Sequence, residues 1–377
     1  MLILAAILAV FVYGMIAAML GTILPELSAR FHLTPQQNGT IAFCQALGLT
    51  ISSLCVGPLI DNEGKKTGLV LGLAVTSLAL FLLPRSTGFA RIATNLLLLG
   101  LGSGVIVTTA NALGSDVTPD HRGTTLNLLN LFFGLGGLAT PLISANFLAR
   151  SSVRLVYLVA GLAGATLLVN IATPMPRPTG ARSFVFADLG ELVGHPILWL
   201  LALFLFLYVA SEVGVWNWLA QHLIAQGVPE SKALNIMSLG FALGLLLGRI
   251  GASQILISVS ALTVTLAASI LMLITTFLML RTHNPMAAGI LVFLAGVAMA
   301  PVFPTTLAIV GDTFPRMTGT AMGIVITFGW IGLAVSSRII GWIAAHDNRR
   351  LRKALLIVPG MSALMIAVNL ALRALLR

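Results

Sequence analysis

Long apolar runs separated by short polar gaps cover the 377 residues. Runs of span length lie at 2–27, 38–60, 67–84, 89–114, 122–148 and 153–173, then at 196–221, 232–253, 256–281, 285–311, 318–344 and 353–375. At 1.5 Å per residue each predicts a helix able to cross most or all of the roughly 30 Å of bilayer hydrocarbon. The gaps are short, so neighbouring helices should be antiparallel. One gap differs: residues 174–195, PMPRPTGARSFVFADLGELVGH, open on clustered prolines and divide six runs from six. Their second part predicts a short helix at the membrane interface. The pattern predicts an all-α integral membrane protein of two six-helix halves, 1–173 and 196–377, joined by a linker.

Composition supports the bilayer as solvent. The chain is 58% hydrophobic and 8% charged, against about 25% charged in a soluble domain. Its net charge of +10 comes from 21 Lys and Arg against 11 Asp and Glu. These charges sit in the gaps between runs rather than on one face, so nucleic acid is excluded as a partner. Cys44 and Cys55 lie in one run, about 16 Å apart on a helix and beyond disulfide reach. The six histidines sit at or near span ends without metal-ligand spacing. No phosphate-binding loop and no nucleophile–base arrangement is present, so the reading is of a non-enzyme without cofactor or metal. The first run begins at Leu2 with no basic region before it. It reads as a span rather than a cleaved leader, and a trimmed tail stays open.

The two halves repeat. Shifting the chain by 196 positions sets Gly100 on Gly296, Thr109 on Thr305, Ala112 on Ala308 and Asp116 on Asp312. It also sets Pro119 on Pro315, Gly123 on Gly319, Thr124 on Thr320, Phe132 on Phe328 and Gly136 on Gly332. Parallel repeats of six spans are an arrangement of secondary transporters, with a site near the midplane between the halves. Orientation is not set by charge. With the N-terminus inside, more Lys and Arg fall outside than inside, largely through Arg349, Arg350, Arg352 and Lys353.

The loop after the second run reads GPLIDNEGKKTG, with Gly57, Asp61, Gly64, Lys65 and Lys66 in order. Gly64 permits a tight turn, Asp61 closes a helix end and can bond a neighbouring helix, and the lysines suit a charged surface. The alternative is an ordinary turn with a solvated charge pair. The loop resembles the signature of the major facilitator superfamily, from which Asn62 departs where a basic residue is usual. That resemblance implies a cytoplasmic loop, both termini inside, a multi-pass bacterial inner-membrane protein, and a gating role for Asp61, Gly64, Lys65 and Lys66. A narrower resemblance, to the fucose–galactose–glucose symporter family, rests on residues 109–143, on YVASEVGVWNWL (208–219) and on 301–332. It implies hexose transport by alternating access, with the Asn130 position facing the sugar.

Asn127 and Asn130 share a helix face at i, i+3, and Asn111 lies in the fourth run. Amides are costly in lipid and should face the bundle interior, where they match sugar hydroxyls or bond another helix. Tyr208, Glu212 and Trp216 fall within about 80° of one face of the seventh run. With Trp218 they are candidate sugar contacts, aromatic rings suiting the apolar faces of a pyranose. Glu212 has three readings: a hydrogen bond to the sugar, a coupling cation site, or an ion pair with Arg338 at similar depth. The symporters' own membrane carboxylates would fall at Gly21 and Val107, so their coupling route is absent. A uniporter, or a symporter of protons or sodium, both remain. Glu26 reads as a solvated span-end residue.

Pro301 and Pro304 should break the tenth helix. Gly240, Gly244 and Gly248, and the cluster GLGSG at 100–104, read as close helix packing. The expected partners of a monomer are a sugar and membrane lipid, with a coupling proton or sodium ion as the alternative to uniport. Two other functions compete. A drug or lipid exporter would favour a wide, greasy cavity with few amides. A membrane receptor or scaffold would favour a large soluble domain or long tails.

Overall fold

The computed structural model describes residues 1–148, 151–175, 186–282, 284–344 and 348–376. The helices are α1 (Leu2–Phe31), α2 (Pro35–Asn62), α3 (Lys65–Leu82), α4 (Phe89–Val117), α5 (Arg122–Phe147), α6 (Ser152–Ala172), α7 (Phe186–Gly194) and α8 (Pro196–Ala225). There follow α9 (Glu230–Asn235), a π-helical segment (Ile236–Ala242), α10 (Leu243–Ile255), α11 (Ala261–Met279), α12 (Pro285–Met299), α13 (Val302–Thr313), α14 (Thr318–Ala344), α15 (Asn348–Leu355) and α16 (Ile357–Leu375). Among the described residues 12 helical stretches are long and apolar enough to cross a membrane, and they coincide with the twelve apolar runs. Large apolar side chains stay bare on their outer faces, among them Leu142, Leu168, Met286 and Trp342. In water that surface would be prohibitive, so this is a multi-pass membrane protein. Of the linker 174–195, residues 176–185 lie outside the described residues, and the expected short helix is α7.

Local chemistry explains the helix ends. His32 closes α1 in the left-handed region at φ 50°, its N–H donating to Ser28 O. Two residues on, Thr34 opens α2 with a reciprocal capping box: Gln37 N–H donates to Thr34 Oγ1, and Thr34 N–H donates to Gln37 Oε1. Gly64 turns the chain into α3 at φ 93°, as the signature loop requires. Asn284 Oδ1 accepts from the N–H of Met286 and Ala287 to cap α12.

The tenth span breaks between α12 and α13, at Pro301. Pro304 does not share that role. It falls in the first turn of α13, where no intrahelical N–H is needed, and Thr305 N–H donates to Pro301 O.

The chain forms two compact units. One holds Met1–Pro119, Leu129–Leu189 and Phe314–Thr327; the other holds Asp120–Leu128, Gly190–Thr313 and Phe328–Arg377. In the first, Met15, Ile16, Met19 and Ile23 of α1 pack with Leu80, Leu96, Leu99, Leu155 and Val159. The backbones of α2 and α4 meet closely: a Cβ on Gly100 would strike Gln45 O, and one on Gly104 would strike Leu49 O. In the second unit, a Cβ on Gly244 would strike Phe293 O, and one on Gly248 would lie 2.6 Å from Ala300 Cβ. The 100–104 cluster and the 244/248 pair are therefore small because backbones meet there.

Candidate functional site

In the first unit, α4 and α5 bring two of the predicted amides together. Asn111 and Asn130 are buried, and Asn130 Nδ2 donates to Asn111 Oδ1 at 2.9 Å. Asn111 Nδ2 in turn donates to Val107 O at 2.8 Å, one helical turn back. The two side chains brace each other across the helices. Val107 is itself buried and Gly21 exposed, with nothing within 4 Å of a Cβ placed there.

Asn127 belongs to the second unit and has different partners. Its Nδ2 donates to Thr305 Oγ1 at 3.0 Å and to Gly123 O at 2.9 Å. Its Oδ1 is buried with no donor among the described residues. Thus Asn127 and Asn130, one helical turn apart, serve different neighbours.

The seventh span, α8, carries the aromatic–carboxylate group. Tyr208 is fully buried and faces the half-buried Glu212, with the Arg249 guanidinium of α10 close enough to act on both. The Tyr208 hydroxyl interacts with Glu212 but closes no hydrogen bond of ordinary geometry. Arg338 is exposed and is not the partner of Glu212, which corrects the ion pair expected from helix depth. Depth along two helices says nothing of their azimuth, and Arg338 points outward. Arg249 was missed, although a charge inside LGLLLGRIGASQ stands out by the same logic as Glu212.

Trp216 is exposed and meets Phe241 edge-on, with ring centroids 5.2 Å apart. Trp218 is half-buried, and its Nε1 has no acceptor among the described residues. Two residues along a helix turn about 200°, so Trp216 and Trp218 present to different sides of α8.

The signature loop forms a third group, within the first unit. Asp61 sits at the N-terminus of α14. Its Oδ1 accepts from Gly319 N–H at 2.9 Å, and its Oδ2 accepts from Thr320 N–H and Thr320 Oγ1, both at 2.7 Å. The first N–H groups of a helix lack intrahelical partners, and the macrodipole favours an anion there. Gly57 allows the approach, since a Cβ there would strike the Thr320 backbone. Lys65 Nζ bridges Asp61 at 3.3 Å and Asp116 at 2.9 Å.

Lys66 stands apart from this network. Its Nζ donates to Ile171 O at 2.7 Å and to Thr173 O at 3.0 Å, capping the C-terminus of α6. Asn62, the departure from the signature, is exposed and donates to Glu63 Oε1. Glu26 is exposed, as expected of a span-end residue, and its Oε2 also accepts from Ser152 N–H at 2.6 Å, at the start of α6.

The internal repeat has structural content in the second unit. Arg122 pairs with Asp312 at 2.5 Å, and Thr124 Oγ1 donates to Ser253 O at 3.0 Å. Asp312 is the repeat mate of Asp116, and Thr124 that of Thr320. Read as identities alone, these positions gave no sign of their partners. No cluster of His, Cys, Asp or Glu able to hold a metal ion occurs among the described residues.

Known proteins agree with this architecture. The model of the Major Facilitator Superfamily matches residues 6–374. The glucose/mannose transporter GlcP of Bacillus subtilis is 24% identical over 383 residues, covering 96% of this chain and 92% of that protein. A glucose/galactose transporter of Brucella abortus is 26% identical over 245 residues, covering 60% of each. The solved structure of FucP in the outward conformation matches with a TM-score of 0.86 at 17% identity, covering 98% of both chains. The proton:xylose symporter XylE matches with a TM-score of 0.76 at 15% identity, covering 97% of this chain and 94% of that one. With a family match over almost its whole length, twelve apolar helices and the signature loop, the chain belongs to the Major Facilitator Superfamily of membrane transporters.

Proposed function

We propose that this transporter carries a hexose across the membrane by alternating access. The observation that carries the reading is the chemistry on α8. Tyr208 Oη and Trp218 Nε1 are polar atoms buried without a hydrogen-bond partner, on the helix that also bears Glu212 and Trp216. Leaving a buried polar group unpaired costs about 1–3 kcal/mol. A hydroxyl-rich ligand that stacks on an aromatic ring can supply those partners. Asn130, Asn111 and Asn127 add buried amides. The relatives named for glucose, mannose and galactose support the same solute class.

In this reading Asn130, Glu212, Asn127, Asn111, Tyr208, Trp216 and Trp218 contact the sugar. Asp61, Gly64 and Lys65 form the gate, with Lys66 of α3 bracing it against the end of α6. The moving halves are 1–173 and 196–377, joined by the cytoplasmic linker 174–195. Both termini lie in the cytoplasm of a bacterial cell, and the working form is a monomer in the inner membrane. Gly21 and Val107 leave no carboxylate at the symporters' positions, so uniport is favoured, with Glu212 as the place a coupling proton or sodium ion would act. Binding of a sugar panel to the purified protein by calorimetry tests the reading. Hexoses should bind and saturate. Failure of every hexose, with binding of amphipathic drugs instead, would move the protein to the exporters.

A further inference from the structure

The eighth and tenth spans carry a groove whose lining includes none of the residues assigned above to the sugar or the gate. It has a volume of about 400 Å³ and is lined by Lys232, Asn235, Ile236 and Gly240 on one side and Gly289, Ile290 and Phe293 on the other. Its walls are apolar except at one end, where the exposed Lys232 and Asn235 sit.

The groove has a physical origin. One wall is the π-helical segment Ile236–Ala242, whose wider turn departs from α-helical packing. Gly240 and Gly289 enlarge it. Unlike Gly244 and Gly248, neither is required by a close backbone approach. A Cβ on Gly240 would rest 3.5 Å from Val292, and one on Gly289 would rest 3.9 Å from Ile236. Both are ordinary contacts, so a Cβ would fit at either position and its absence leaves the space open. Gly240 therefore does not serve the close helix packing that its spacing predicts, unlike Gly244 and Gly248.

The surroundings identify the medium that fills it. Met286, Ile290 and Leu294, spaced four apart on α12, are 76%, 57% and 36% exposed, and Leu234 beside the mouth is 51% exposed. A surface of this kind faces hydrocarbon. The polar end sits where both spans begin, which in the orientation proposed above is the outer membrane surface, where headgroups would lie. We propose that this groove binds an anionic phospholipid, with an acyl chain along Ile236, Ile290 and Phe293 and the phosphate at Lys232 and Asn235. A lysine near a membrane surface attracts anionic lipid by an amount equivalent to about fivefold in affinity.

Native mass spectrometry of the delipidated protein, supplied with equal phosphatidylglycerol and phosphatidylcholine, tests the assignment. The wild type should retain one phosphatidylglycerol with about a fivefold preference over phosphatidylcholine. Lys232→Gln should abolish the preference while keeping lipid of either kind. Gly289→Leu should fill the groove and lose both, with an unchanged melting curve, since leucine is the better helix former. No preference in the wild type, an undiminished preference in Lys232→Gln, or full retention in Gly289→Leu would each overturn the proposal. If Gly289→Leu does not fold, Ile290→Trp fills the same space from an exposed position and is read the same way.

Discussion

Two side chains carry the most specific expectations. Asn130→Leu removes a hydroxyl partner and leaves Asn111 Oδ1 without its donor. Sugar affinity should fall by about 1–3 kcal/mol, read by calorimetry on folded protein. Unchanged affinity would confine Asn130 to bracing α4 against α5. Glu212→Gln keeps shape and hydrogen bonding but removes the charge. As a sugar contact, it should bind hexose more weakly. As a coupling site, it should lose gradient-driven accumulation and keep exchange. Full retention of binding, accumulation and stability would remove Glu212 from all these roles. Arg249 gives an independent check. It is buried beside Glu212 and Tyr208, so Arg249→Met should leave a carboxylate without its cation. That should lower the melting temperature. The double variant Arg249→Met with Glu212→Gln should recover much of that loss in thermal melts. Additive losses would mean the two groups do not interact.

At the scale of elements, the signature loop divides its labour. Asp61 holds the first N–H groups of α14, while Lys66 holds the last carbonyls of α6. Asp61→Ala should slow transport much more than it weakens sugar binding, because a helix end loses its anion while the sugar contacts stay. Parallel loss of both would end the gating assignment. Lys66→Met should instead lower stability by about 0.3–1 kcal/mol, the usual worth of a cation at a helix C-terminus. A transport defect as large as that of Asp61→Ala would place Lys66 in the gate itself. The loop's turn at Gly64 and its role as a helix closure were legible from residue order. Its receivers, Gly319 and Thr320, were not, since they lie more than 250 positions away along the chain. The break of the tenth span was legible at Pro301, because proline has no N–H to donate. Pro304 was misjudged because the break restarts the helix, and a first turn accepts proline freely.

At the scale of the molecule, the twelve spans were readable because hydrocarbon demands about twenty apolar residues per crossing, and a run of that length is a strong signal. The repeat was readable through Asp116, Asp312, Thr124 and Thr320. The site was readable only by residue type. Asn111, Asn130, Tyr208 and Glu212 were found because polar groups in apolar runs are conspicuous. Their partners were not, since azimuth and crossing geometry are set by packing between helices. Arg338 matches Glu212 in depth but is exposed, and the cation that acts on Glu212 is Arg249. The central claim is hexose transport, and one measurement reaches it most directly. Purified protein in liposomes is given radiolabelled glucose, mannose, galactose and a control amino acid, with and without proton or sodium gradients. The account predicts saturable uptake of at least one hexose and none of the amino acid, equilibrating without a gradient if the protein is a uniporter. Absence of uptake for every hexose under every gradient, by protein that is folded and inserted, would contradict it.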